Sequence, residues 1–236
     1  MTLLQLIKHL RETILDDTGG TGVDWTAIDE TDDAAAQLRW SNEELTRCIN
    51  EAILQAHRRS LLIKDASGDY DITVTAGTPE YLLDPRIIRI KGAKLVSTGK
   101  QLEKVEIEDV WNRDDWDLYE QTPTSYIVDY NTGYLTLYPT PLVDDEVKLL
   151  VYRSETTPLS WDTPSGSPDI PERYQIPVLD YAAFMCYNKD EANTFDPKRA
   201  QYFYALFMNE FSDTSAYIEK RRNRSSYKGA KYRDIF

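Results

Sequence analysis

The chain is predicted to adopt an α+β fold, in which a helical bundle from the N- and C-terminal segments carries an inserted antiparallel β-sandwich or barrel-like domain. Near both ends of the 236-residue chain, apolar residues recur every three or four positions, which is the period of a helix face. From Asp69 to about Arg153 the period changes to two, which is the period of a strand. Because helical and strand patterns form separate blocks, we do not expect a parallel α/β sheet.

Two helices are predicted before the strands. The first covers residues 3–15, and a polar connector, 17–39, follows it; Trp25 in this connector indicates that it packs against the protein. The second begins at Ser41, where Glu44 three residues later completes a capping box. Its apolar stripe consists of Leu45, Ile49, Ala52, Ile53, Ala56, Ser60 and Ile63.

The central segment is predicted to contain five to seven strands, mainly antiparallel, because the connections are too short for helical crossovers. The strongest signal is a hairpin from Tyr126 to Tyr138 with its turn at Asn131-Thr132-Gly133. Residues 107–119 interrupt the strand pattern and predict a short helix or an ordered loop.

Two more helices are predicted after a linker rich in Thr, Ser, Pro and Gly. Pro177 suits the first turn of one, and Asp196 followed by Pro197 is typical of the start of the other. The stripe of the last helix consists of Ala200, Phe203, Tyr204, Phe207 and Phe211. The predicted domains are therefore 1–66, N-terminal helices of the bundle; 67–155, the inserted β domain; 156–218, the linker and C-terminal helices; and 219–236, a basic tail.

Composition excludes several classes of protein. The chain is 41% hydrophobic and 28% charged, which argues against both a disordered and a membrane protein. Two cysteines are too few for a disulfide framework, so a reducing compartment fits. The net charge of −13 argues against a generally basic nucleic-acid-binding protein.

The charge is unevenly distributed. Residues 219–236 carry seven basic and two acidic side chains, whereas the remaining 218 residues have a net charge of −18. Three interpretations of this tail stay open: a solubilising end, an arm whose cations and aromatic residues dock into an acidic groove, or an arm that contacts nucleic acid. The acidic body opposes the third because it repels a polyanion.

No residue pattern predicts catalysis, a cofactor or a metal. His9 and His57 are the two histidines, and Cys48 and Cys186 the two cysteines, with no zinc-ligand spacing among them. Acidic residues are dense between Glu103 and Asp117, where two of them could serve a glycosidase, but such density is typical of a solvated face. We therefore predict a protein that is not an enzyme.

Two stretches resemble head-to-tail adaptor (connector) proteins of tailed bacteriophages. Residues 39–52 combine a tryptophan, a capping serine, acidic residues and an Asn-Glu-Ala helix, and residues 169–207 match the C-terminal helix pair of that family. Together the matches cover about half of the chain in the expected order.

The resemblance implies a structural virion protein that forms a ring, commonly of twelve copies, beneath the portal. It implies as partners the portal protein, a tail or nozzle protein and further copies of the chain, with genomic DNA passing through the channel without specific binding and no membrane. It implies assembly in the host cytoplasm and a place at the head–tail interface of the virion. The portal-contact role of the family falls on Arg221, Arg222, Arg224, Tyr227, Lys228, Tyr232 and Phe236.

Two alternatives remain. A tail-associated cell-wall hydrolase would use paired carboxylates, and a nucleic-acid-binding module would use the basic tail. The adaptor also requires the DNA channel to repel DNA, so we expect the acidic residues 29–33 or 103–117 to line it.

Overall fold

The computed structural model describes residues 1–19, 24–26, 38–111, 119–128, 130–155, 157–189 and 195–211. They form a mixed α/β structure with a curled multi-stranded sheet and several helices. The chain divides into two compact units. We call the described residues up to Leu62 and from Glu155 onward the helical unit, and Ile63–Ser154 the sheet unit.

The described residues contain five α-helices. They are α1 Leu3–His9, α2 Asn42–Ser60, α3 Glu108–Trp111, α4 Leu179–Tyr187 and α5 Pro197–Glu210. A π-helical segment, Leu10–Leu15, continues α1, and a 3-10 turn, Glu172–Tyr174, precedes α4. All but α3 belong to the helical unit.

Side-chain caps determine where the main helices begin. Ser41 Oγ accepts a hydrogen bond from Glu44 N at 3.0 Å, which starts α2 at the predicted position. Asp196 Oδ1 accepts from the amides of Lys198 and Arg199, both at 3.1 Å, and Pro197 occupies the first turn of α5. Both predicted starts are confirmed.

The end of α2 was predicted wrongly. Its stripe does not continue to Ile63, because Leu61 adopts a left-handed backbone with φ 50° and its amide donates to His57 O at 2.9 Å. This conformation terminates the helix, and Ile63 instead begins the first strand. The apolar spacing extends past the helix because the following strand also has an inward-facing side.

The buried side chains of the helical unit form one hydrophobic cluster. It contains residues of α1, α2, α4 and α5, including Leu6, Ile49, Ala183 and Phe207. Helices from distant parts of the chain therefore bury apolar surface together, and a regular bundle stays a prediction. Tyr204 departs from its predicted buried stripe, since 40% of it is exposed.

The sheet unit contains ten strands within the described residues. They are β1 Ile63–Asp65, β2 Ile72–Val74, β3 Glu80–Leu82, β4 Ile87–Leu95, β5 Gln101–Lys104, β6 Glu120–Gln121, β7 Ser125–Val128, β8 Tyr134–Tyr138, β9 Thr140–Pro141 and β10 Asp145–Arg153. Eight form one sheet of order β1-β10-β4-β5-β7-β8-β3, with β2 also pairing with β10. This exceeds the five to seven strands predicted because several strands are only two or three residues long.

The strand pairing is mainly antiparallel, as predicted, with six antiparallel and two parallel pairings among the described strands. The predicted hairpin is confirmed, since β7 and β8 pair antiparallel with Tyr126 opposite Leu137. However, β5 pairs with β7 in parallel, and so does β6 with β9. The chain between β5 and β7 contains α3 and β6, so it is long enough to return β7 in the same direction as β5.

The predicted interruption at residues 107–119 contains α3. A short helix is therefore confirmed at Glu108–Trp111, and residues 112–118 lie outside the described residues.

Candidate interaction surfaces

A buried arginine organises the polar interior of the helical unit. Arg11, fully inaccessible to solvent, donates from Nη1 to Asp17 Oδ2 at 2.5 Å, and from Nη2 to Asn42 Oδ1 at 2.9 Å and Trp40 O at 2.7 Å. Burial lowers the pKa of Arg11, and the Asp17 carboxylate counteracts that effect. A buried guanidinium needs such partners because removal from water is costly.

The same residues hold both ends of the connector. Asp17 Oδ1 accepts from Arg39 N at 2.9 Å, and Asn42 Nδ2 donates to Trp25 O at 3.1 Å. The Arg11 guanidinium lies 5.6 Å from the centre of the Trp25 ring, and Trp25 is buried. The prediction that Trp25 packs against the protein is confirmed, and residues 27–37 lie outside the described residues.

Two further side chains of α2 fix the later parts of the helical unit. Asn50 Nδ2 donates to Leu159 O at 2.8 Å, and Leu159 N donates to Asn50 Oδ1 at 2.9 Å, so one amide satisfies both backbone groups of a linker residue. Arg59 Nε donates to Phe211 O at 3.2 Å, and the buried Phe211 packs against Tyr174 at a ring-centroid distance of 5.5 Å. These contacts hold the C-terminal end of α5 against α2.

Helix α5 presents aromatic and aliphatic side chains to solvent. Tyr202, Tyr204 and Leu206 are exposed, with Tyr202 at 60%, and the Tyr204 ring lies 5.0 Å from the Phe184 ring. Phe195, just before the helix, is exposed as well. Clusters of exposed aromatic residues are typical of protein–protein interfaces, because their large apolar rings gain from burial while the Tyr hydroxyl stays satisfied.

The described carboxylates of the acidic segment do not converge on a cleft. Glu103, Glu106, Glu108 and Asp109 are all exposed, and Glu106 pairs with Lys104 Nζ at 3.4 Å. This agrees with the interpretation of a solvated face for these residues, while 112–118 lie outside the described residues.

The two cysteines lie in the interior of the helical unit. Cys48 of α2 and Cys186 of α4 are buried free thiols, and the neighbouring Cys48 thiol together with burial raises the pKa of Cys186. Both side chains are part of the hydrophobic cluster, so packing accounts for them. Within the described ranges, no three His, Cys, Asp or Glu side chains are grouped to hold a metal ion.

The seven residues predicted to contact the portal all lie in 221–236, outside the described residues. Arg11 could not be identified from the sequence, because its partners come from three separate segments and no motif surrounds it. The acidic connector with its single tryptophan was the available signal for a docked loop.

None of the described helices combines the length and apolar character needed to cross a bilayer. A comparison with protein families matches residues 1–231 to the model described as SU10 adaptor protein. No curated protein sequence matches the chain. Because the family model covers nearly the whole chain, this protein belongs to the SU10 adaptor protein family, in agreement with a phage head-to-tail adaptor.

Proposed function

We propose that this chain is a structural head-to-tail adaptor that forms a ring of twelve copies under the portal. The ring extends the DNA channel and provides the platform on which the tail or nozzle attaches. The observation that carries this proposal is the family match over residues 1–231. In this role the protein assembles in the host cytoplasm and serves DNA packaging and ejection from the virion.

Ring formation requires two different, complementary surfaces on each copy, because a closed ring is built from heterologous contacts. The exposed aromatic side chains of α5 support such a contact, since Tyr202, Tyr204 and Leu206 leave apolar area to be buried. A helical bundle made by both ends of the chain would hold α5 rigidly as one wall of this interface.

The charge distribution supports the proposed channel. A net charge of −18 outside residues 219–236 repels DNA, so a passing duplex is not held by the wall. Residues 29–33 or 103–117 are the acidic segments proposed to line the channel. Genomic DNA would accordingly pass without specific binding.

The basic tail is proposed to dock on the portal. Cations combined with aromatic side chains suit an acidic groove, where the charges steer the approach and the rings are buried. The docking residues are Arg221, Arg222, Arg224, Tyr227, Lys228, Tyr232 and Phe236.

Co-assembly with the purified portal protein of the same phage tests the proposal. Native mass spectrometry of the mixture is expected to give a complex with twelve copies of the adaptor. The variant R221E/R222E/R224E is expected to bind the portal with an affinity at least about tenfold lower, because several charged contacts are reversed. The matched variant K8E/R47E/K198E changes the charge equally at exposed sites of the helical unit and is expected to bind like the wild type.

Two outcomes would contradict parts of the proposal. Equal portal binding by both triple variants would remove the tail from the docking surface. A wild-type protein that stays monomeric with both portal and tail proteins present would overturn the ring, and clearing of peptidoglycan in a zymogram would favour the hydrolase.

A further inference from the structure

The outward face of the central sheet is basic, although the protein as a whole is strongly acidic. Along β10, Val147, Leu149 and Val151 are buried in the core of the sheet unit, so the alternate residues point outward. Strand pairing places basic side chains from β1 and β4 on that same face. This basic face consists of Lys64, Arg89, Lys91, Lys94 and Lys148.

Two of these lysines lie directly opposite each other. Lys94 of β4 and Lys148 of β10 are cross-strand partners, and both are exposed. Like charges in this position repel each other and weaken the sheet. No carboxylate of the described residues forms an ion pair with either lysine, and the exposed Glu103 and Glu146 lie at the borders of the face. The sheet therefore carries an electrostatic cost that an added anion would relieve.

A groove of about 430 Å³ lies on this face, and both lysines line it. Gly92 and Leu150 line it as well, and a Cβ added to Gly92 would come no closer than 3.9 Å to another side chain, so the space above Gly92 is open. Residues 66–68 and Asp71 complete the lining, and Asp71 Oδ1 accepts a hydrogen bond from Leu149 N at 2.9 Å. The groove thus combines small and apolar residues with two lysines and one carboxylate, which leaves its lining with a net positive charge.

The same unit carries a surface of opposite charge. Glu106, between β5 and α3, and Glu108, the first residue of α3, are exposed. Asp109 Oδ2 accepts a hydrogen bond from Glu106 N at 3.3 Å, and the Glu106 carboxylate also pairs with Lys104 Nζ at 3.4 Å. We call Glu106 and Glu108 the acidic corner. Each copy of the chain therefore presents both a basic groove and an acidic corner.

We propose that the basic groove of one copy receives the acidic corner of the next copy, so that the sheet units contact each other head to tail. The inference rests on the proposed ring and names the charged contact that closes it. A second copy fits the observations better than a duplex, because the acidic body repels DNA while the groove matches the dimensions of a few side chains. Such a contact is heterologous, as ring closure requires.

The contact also affects which acidic residues can line the channel. If Glu106 and Glu108 meet lysines of a neighbouring copy, their charge is neutralised in the ring. The acidic residues 29–33 and the other carboxylates of 103–117 are then the candidates for the channel wall.

A charge exchange between two variants tests the contact. K94E/K148E and E106K/E108K are each expected to reduce the fraction of ring assembled on the portal about tenfold, because like charges then face each other. A mixture of the two double variants is less informative, because only some of its contacts would join opposite charges. The decisive variant is K94E/K148E/E106K/E108K, which carries both charge reversals in one chain. It is expected to assemble like the wild type, since every contact again joins opposite charges.

The controls keep this inference separable from the proposed ring. K8E/K198E changes two exposed lysines of the helical unit and should leave assembly unchanged, and thermal unfolding of each variant verifies that it folds. If the K94E/K148E variant assembles into rings as well as the wild type does, the proposed contact is overturned and the proposed ring is not affected. A second outcome would also overturn the contact. If the wild type binds a DNA duplex in a salt-dependent way and K94Q/K148Q abolishes this binding without affecting ring assembly, the groove binds phosphates.

Discussion

The helical unit buries charge, whereas the sheet unit displays it. In the first, Arg11 and Asp17 lie in the interior and connect segments that are distant along the chain. In the second, one continuous segment alternates apolar and charged residues, so Lys94 and Lys148 remain at the surface. In the helical unit a polar network therefore joins α1, the connector and the start of α2, while the sheet obtains its arrangement from strand register.

The largest expected effect comes from removing the buried charge. Arg11→Met retains much of the side-chain volume but leaves Asp17 as an unpaired buried carboxylate and deprives Asn42 Oδ1 and Trp40 O of a donor. The free energy of unfolding should fall by about 3–5 kcal/mol. Urea denaturation followed by tryptophan fluorescence measures it, because Trp25 and Trp40 lie beside the network.

The exposed Arg47 provides the matched control for Arg11. Among the described residues it pairs with Glu44 at 4.0 Å, and 76% of the Arg47 side chain is exposed, so Arg47→Met should change stability by less than about 0.5 kcal/mol. A similar small loss for Arg11→Met would show that the buried network does not specify the helical unit.

An effect of intermediate size is expected in the pH dependence of stability, which should have opposite signs for a carboxylate of the helical unit and one of the sheet unit. Burial, with a smaller contribution from Glu210, raises the pKa of Asp180 in α4 from 3.8 to about 6. The folded state therefore binds this proton more tightly than the unfolded state, and the stabilisation present below pH 3.8 is lost as pH rises to about 6. Asp180→Asn should be more stable than the wild type at pH 7 and comparable to it at pH 4.

Asp65 in the sheet unit behaves in the opposite way. The hydrogen bond from Arg153 Nε at 2.6 Å lowers the pKa of Asp65 from 3.8 to about 2. Its stabilisation is present above pH 3.8 and is lost as pH falls to about 2. Asp65→Asn should therefore be less stable than the wild type at pH 7, with the difference disappearing near pH 2; thermal unfolding across pH checks both carboxylates. The same sign of change at pH 7 for both variants would contradict the contrast between the units.

The smallest effect concerns a single helix start. Ser41→Ala removes the hydrogen bond to Glu44 N and should cost about 1 kcal/mol. Ser165→Ala, at an exposed serine of the same unit, is the control and should be neutral. If circular dichroism melts of the two variants coincide, α2 is held by packing alone and the cap contributes nothing.

Local chemistry explains which predictions succeeded. Ser41, Asp196 and Pro197 act on backbone groups within three residues, so the starts of α2 and α5 could be predicted from sequence. The turn at 131–133 likewise specified the hairpin of β7 and β8. The end of α2 was missed because Leu61 adopts a left-handed conformation that its residue type does not signal.

By itself, the sequence determined the order of helical and strand segments, the helix caps and the acidic body with its basic tail, because periodicity, capping and charge depend on residues close together in the chain. Only the tertiary structure decided that β5 and β7 run parallel, that Arg11 binds residues up to 31 positions away, and that Lys94 faces Lys148. These relations join distant segments, and their energies depend on burial and strand register, which no local pattern specifies.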